Sequence, residues 1–237
     1  MKEQPFYLQV VFLAPACVTN AVHLDGVLWQ ALVRMGMRPE EALKEIPLAT
    51  DPTGRFHLCT AGIPTGSPAI PRTARSRPLV SMHRDAREFV KQPPPPQKQP
   101  PPPQMSEYPV LGVAEMFFFG VGDMERVRDL LPAIDGIGRR TRQGFGEVSA
   151  GDSLVVPVDL PFLPFTPDGT PSRHLPWDAW EAIRAMEPGL PRAARGPARL
   201  LPPYWSADGR VDAALAMPSY VQRDVLLAHM NPLKEAV

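Results

Sequence analysis

The sequence predicts a mixed α+β fold in the order strand, helix, strand, strand, helix, strand. Three observations carry it. Short apolar runs rich in β-branched and aromatic residues have the length and composition of buried strands. Two amphipathic runs with apolar residues three and four apart lie between the first and second strands and between the third and fourth. Between the second and third strands the chain turns basic and proline-rich and ceases to look like core. The βαββαβ order over residues 6–158 is that of a ferredoxin-like or RRM-type fold. The 237 residues leave room beyond it for an appendage.

The first strand is FYLQVVFLA, residues 6–14. HLDGVLWQALVRMG follows, read as a helix capped by Asp25, with Leu28, Ala31, Leu32 and Met35 on one face and Gly36 as its stop. PEEALKEI opens another turn of helix on Pro39, with acidic residues where the helix dipole favours them. RFHLCTAGIP, from Arg55, is the second strand. VLGVAEMFFFGVG is the third, its run Met116 to Phe119 taken as sheet core. DMERVRDLLPAI is a helix capped by Asp123, with Val127, Leu130, Leu131 and Ile134 on one face. EVSAGDSLVVPV is the fourth strand. Residues 1–158 form the expected domain. Residues 159–237 have weak periodicity and many prolines, and are expected to be a mostly irregular wrapping segment. In it LPWDAWEAI is a short helix whose Trp177 and Trp180 cover the sheet core.

Residues 66–109 form the insertion. PRTARSRPLVSMHRDAREFVK brings Arg72, Arg75, Arg77, Arg84, Arg87 and Lys91 against only Asp85 and Glu88. The polyproline tract at 93–103 cannot build a core and is expected to be an extended tether. Elsewhere the composition is permissive. Lys+Arg and Asp+Glu both number 25, so net charge neither favours nor excludes a nucleic-acid partner. Cys17 and Cys59 have no metal-ligand spacing and sit among apolar residues, as small buried residues of a reducing compartment do. The N-terminus reads as a strand rather than a signal peptide, and no run is long enough to span a bilayer. The expectation is a cytoplasmic protein with no membrane contact.

The chemistry concentrates in GIGRRTRQGFGEVS, residues 136–149, with four glycines, three arginines and Phe145. It is not the dinucleotide fingerprint, because Thr141 stands where the third glycine belongs and the loop follows a helix. Nor is it a P-loop, since no Gly-Lys-Ser/Thr closes it. The remaining functional reading is a grip on a nucleic-acid backbone. Gly138, Gly144 and Gly146 would let main-chain amides approach phosphates, Arg139, Arg140 and Arg142 would add forked cationic donors, and Phe145 would stack a base. The alternative is a solvated turn with Phe145 in the core. His23 is read either as a first-turn residue that orders the loop or as a general base, and it is counted among the RNA-binding candidates. No paired-carboxylate site, Ser-His-Asp set or Cys/His metal cluster can be assembled, and no cofactor is expected.

The leucine-rich helix, the Ile-Gly-Arg-Arg loop and the Gly-Phe-Gly before a strand resemble the glycine-rich loop of the RAMP superfamily of CRISPR proteins. FFFGVGDMERVRDLLPAIDGIGRRTRQGFGEV, HLDGVLWQAL, SRHLP and LPPYW are similar, more narrowly, to the Csf-family subunit that caps the 5′ handle of the crRNA in type IV CRISPR effector complexes. The resemblance implies a non-catalytic RNA-binding subunit in a ribonucleoprotein of antiviral defence. It implies a modified RRM that holds the 5′ handle and a thumb-like insertion between the second and third strands, where Arg72, Arg75, Arg77 and Arg84 fall. Backbone and large subunits of the complex are the implied partners, with target DNA near its flanking motif. Some relatives cut pre-crRNA, so a metal-independent endoribonuclease is the alternative. The polyproline tract departs from the family pattern.

Overall fold

In the computed structural model the described residues are 3–18, 20–65, 72–76, 106–110, 112–139, 141, 144–159, 162–217 and 221–230, with backbone only at 72–76, 106–110 and Met230. Arg77, Arg84, Arg87, Lys91, Arg140, Arg142 and the polyproline tract lie outside them. The fold is mixed α+β with antiparallel sheets.

Strand β1 (Gln4–Phe12) occupies an interior position in a four-stranded sheet because both of its edges find partners. It pairs antiparallel with β5 (Glu115–Gly122), Gln4 facing Gly122 and Val11 facing Glu115. On its other side lies β6 (Val148–Pro157), with a register shift between Gln9 and Val11. The short β2 (Ile63–Thr65) adds to β5, giving the order β2-β5-β1-β6. Side-chain alternation divides the strands cleanly. Phe6, Leu8, Val10, Met116 and Phe118 face the helices α1 (Leu24–Arg34) and α3 (Met124–Leu130), meeting Leu24, Leu28, Leu32, Val127 and Leu130. Tyr7, Phe117, Phe119 and Ile63 face the other way and are covered as well, by Leu163, Val221 and helix α5 (Arg223–Met230), whose Leu226 is fully buried. A strand buried on both faces carries no polar alternation, which is why MFFF reads as an unbroken apolar run.

Three helix ends follow the sequence reading and one does not. Asp123 caps α3, its carboxylate accepting from the Arg126 amide at 3.2 Å. Gly36, at φ 96°, closes α1: its amide reaches the Val33 carbonyl and the Met37 amide the Leu32 carbonyl, the paired bonds of a Schellman end. Asp25, however, is not the cap of α1. His23 holds that position, and Asp25 lies inside the first turn, fully buried. The helix α2 (Pro39–Lys44) starts on its proline as expected.

The expected second strand from Arg55 is regular only over β2. The Asp51 carboxylate accepts the amides of Thr53, Arg55 and Phe56, at 3.1, 2.5 and 2.9 Å, and bends 51–56 into a turn. Residues 57–61 then cross the sheet edge by single bridges, Thr50 to His57, Cys59 to Gly120 and His23 to Ala61. Beyond β2 the insertion leaves and returns as an antiparallel ribbon of β3 (Arg72–Ser76) and β4 (Ser106–Val110), Arg72 opposite Val110.

The C-terminal segment has more order than its periodicity predicts. Strands β7 (Leu175–Pro176), β8 (Ala194–Ala198) and β9 (Val211–Leu215) form a sheet in the order β7-β9-β8, with helix α4 (Trp177–Met186) beside it. Trp177 and Trp180 do share a helix, but they pack on a second cluster of Phe56, Leu175, Leu200, Ala213 and Ala214, not on the MFFF core. Strands of two and five residues, interrupted by Pro176 and Pro197, are too short to show a period. Among the described residues no helix is long and apolar enough to cross a membrane.

Candidate functional site

The glycine-rich loop follows α3 and a turn of 3₁₀-helix (Leu131–Ala133). It is closed at its base, where Gly136 bridges Glu147, the Val148 amide donates to the Asp135 carbonyl at 3.1 Å and the Ile137 amide to Gly146 at 2.9 Å. Its inner side rests on the β1–α1 connection. The Gly146 amide donates to the Pro15 carbonyl at 2.9 Å and the Arg139 amide to Cys17 at 2.8 Å. Gly146 has φ 64°, and a Cβ there would stand 2.0 Å from the Ile137 oxygen; at Gly138, φ 101°, it would stand 2.7 Å from the Cys17 oxygen. These glycines permit backbone contact inside the protein. At Gly144, φ 82°, a Cβ would meet open space, and only the left-handed turn calls for glycine.

Several of the loop's described amides are already committed within the protein. The amides of Ile137, Arg139, Gly144 and Gly146 already donate to carbonyls of the chain. Arg139 is exposed and Phe145 half-buried. Among the described loop residues, a phosphate would meet the Arg139 guanidinium. Arg72 and Arg75 lie on β3 of the ribbon. At the end of β1 the Phe12 amide donates to Ala114, just before β5, and the Leu13 amide to Glu147 at the close of the loop.

His23 belongs to a different constellation. It stands with Asp25, His57, Cys59, Arg173, His174 and Tyr204 in a buried cluster between the main sheet and the C-terminal segment. Asp25 Oδ2 lies 3.4 Å from an Arg173 Nη and 3.1 Å from His57 Nδ1, and Oδ1 accepts from the Tyr204 hydroxyl at 2.6 Å. Arg173, itself fully buried, also donates to the carbonyls of His57, Cys59 and Leu200 and to Cys59 Sγ, and lies 5.1 Å over the Phe56 ring. Burial alone would raise the Asp25 pKa, but the Arg173 guanidinium and the His57 hydrogen bond overcome it and hold the carboxyl below the usual carboxylate range. Burial likewise lowers the pKa of Arg173, and its neighbours Cys59, Tyr204 and Asp25 return it above the ordinary value. The Cys59 thiol is pushed up to about 12 by burial and by Asp25.

The His23 ring is 1% exposed and packs 4.5 Å from the rings of both His174 and Tyr204. Burial first, then His174 and Arg173, lower its pKa well below the ordinary histidine value. The ring lies in this buried cluster and not at the glycine-rich loop. Arg173 and Tyr204 were not picked out as site residues, although SRHLP and LPPYW contain them. A signal existed for their partner: Asp25 sits three and seven residues before Leu28 and Leu32, on the apolar face of α1, and a carboxylate there needs a buried cation. Among the described residues no group of three or more His, Cys, Asp or Glu is arranged to hold a metal. No family model matches the chain, and no curated protein matches it.

Proposed function

We propose that this chain is the non-catalytic subunit that binds and caps the 5′ handle of the guide crRNA in a type IV CRISPR effector complex, and that its core is a ferredoxin-like, RRM-type domain. The strand order β2-β5-β1-β6, with α1 after β1 and α3 after β5, supports the fold. The observation that carries the function is a backbone-locked loop that exposes Arg139 at one end of β1. Its Glu147 carbonyl and Gly146 amide bond Leu13 and Pro15, and Phe12 beside them bonds Ala114, which follows the arginine-bearing insertion in sequence. Arg140 and Arg142 of the loop, and Arg77 and Arg84 of the insertion, extend that basic character in sequence.

An RRM stacks bases on the open face of its sheet. Here Tyr7, Phe117 and Phe119 occupy that face beneath α5 and Leu163, which favours RNA contact along the loop edge instead. Handle phosphates then lie on the arginines, the ribbon stands as a thumb, and the backbone and large subunits dock beside it. Target DNA near its flanking motif would be met at the same end of the complex.

The test is incubation of the purified protein with labelled repeat RNA across a salt series, beside a variant with Arg139, Arg140 and Arg142 all changed to Ala. The expected result is a salt-sensitive shift without cleavage. The triple variant should flatten the log–log salt slope by about 2, at roughly 0.7 per lost phosphate contact on a single strand. A variant that binds as tightly as the parent removes the loop from the site, and a discrete cleavage product favours the endoribonuclease.

A further inference from the structure

At its C-terminal end β1 still holds both neighbours. The Phe12 amide donates to the Ala114 carbonyl on the β5 side at 2.8 Å and the Leu13 amide to the Glu147 carbonyl on the β6 side at 2.9 Å, the alternation of an interior strand. Beside these bonds lies an open groove of about 280 Å³, with residues 12–15 as one wall and 112–114 as the other. Phe12 and Val113 are its buried apolar residues, and Leu13 at its mouth is 62% exposed. One wall is held by the glycine-rich loop, since Pro15 accepts the Gly146 amide and Cys17, two residues on, accepts that of Arg139. The other wall is the chain returning from the insertion.

We propose that this groove seats one unstacked base of the bound RNA, an assignment that rests on the RNA reading above. Single-strand binders divide the work between cations that follow the phosphates and apolar surfaces that accept the base. The sheet's own aromatics are closed beneath α5, so base contact has to be made elsewhere, and this groove adjoins the arginine-bearing loop. Its walls are apolar side chains and backbone, suited to the faces of a base more than to the reading of its edge. Leu13 closes over one face of the base, and the seated position tolerates any of the four bases.

The experiment measures affinity for a series of repeat RNAs, each abasic at one handle position, with the parent protein, with Leu13→Asp and with the loop triple variant. Leu13 is exposed enough for the substitution to leave the fold intact, and a thermal melt checks that. With the parent, one abasic position should cost about ten-fold in affinity. Leu13→Asp should lose a similar factor on intact RNA and nothing further at that one position, because the two changes remove the same contact. The proposal fails if Leu13→Asp binds every RNA as the parent does, or if its loss adds to that of every abasic site. If it binds RNA normally but no longer joins the neighbouring subunits, the groove holds a protein side chain, which also overturns the base assignment. Parent protein that binds no repeat RNA overturns the capping reading with it, whereas an effect of the triple variant alone leaves capping standing and removes only the groove.

Discussion

Asp25 shows how one residue can satisfy a sequence rule and still belong elsewhere. An aspartate just ahead of an apolar periodic run is the signature of a helix cap, and Asp123 obeys it. Asp25 also continues the period of Leu28 and Leu32, and burial follows the period. Its cation is Arg173, 148 residues away, a distance at which no local pattern pairs two charges. The cluster was legible to the extent that HLD, SRHLP and LPPYW stood out as segments. Their convergence was not, because it depends on how the C-terminal segment folds back. Removing one partner of a buried pair leaves an uncompensated charge, at a cost of about 3–5 kcal/mol. Arg173→Met is therefore expected to lower unfolding free energy by that order in urea titrations. Adding Asp25→Leu should recover part of the loss, since it removes the stranded carboxylate. A single-variant loss below about 1 kcal/mol, or no recovery in the double variant, would show that the pair does not hold the two parts together.

At the scale of elements, legibility followed length. The strands β1, β5 and β6 and the helices α1 and α3 are long enough for their period to be counted, and each lies where it was expected. The strand expected from Arg55 was lost to the Asp51 turn, whose side-chain acceptors compete with ladder bonds. Helix α5 was missed because its eight residues, RDVLLAHM, span barely two turns and carry little periodic signal. Such a helix is marginal alone and forms through what it covers. What it covers is the aromatic face: Leu226 packs with Phe117 and Phe119, and Arg223 lies 3.6 Å from Glu115. Half-exposed, that ion pair adds little, and the buried leucine supplies the attachment. Leu226→Ala should cost about 2–5 kcal/mol. It should also increase binding of a hydrophobic dye as Tyr7, Phe117 and Phe119 become accessible. Unchanged stability and dye binding would mean that α5 contributes nothing to closing the sheet.

For the molecule as a whole, the junction between the sheet domain and the C-terminal segment makes stability depend on pH. His23 and His174 meet there, and both are held neutral, His174 with a pKa lowered to about 4 by burial and by Arg173. The geometry agrees, because His174 Nδ1 accepts the Ala216 amide at 3.1 Å and has a lone pair committed to that bond. In the unfolded chain both rings take protons near pH 6.5. Below that pH the unfolded state binds protons that the folded state refuses, so stability falls as pH falls, by up to ~1.4 kcal/mol per pH unit for each histidine. For His174 the loss runs from about 6.5 down to about 4. Asp25 acts in the same direction further into acid: its depressed pKa contributes stability above the usual carboxylate range that is lost as pH falls through the folded value. Urea midpoints at pH 7.5, 6.5 and 5.5 should therefore decline, most steeply over the last interval. His174→Gln should shallow the decline, because its amide oxygen can still accept from Ala216 while taking no proton. A midpoint that is level between pH 7.5 and 5.5 would mean that these histidines protonate as easily in the fold as outside it, and the junction would then be open to water.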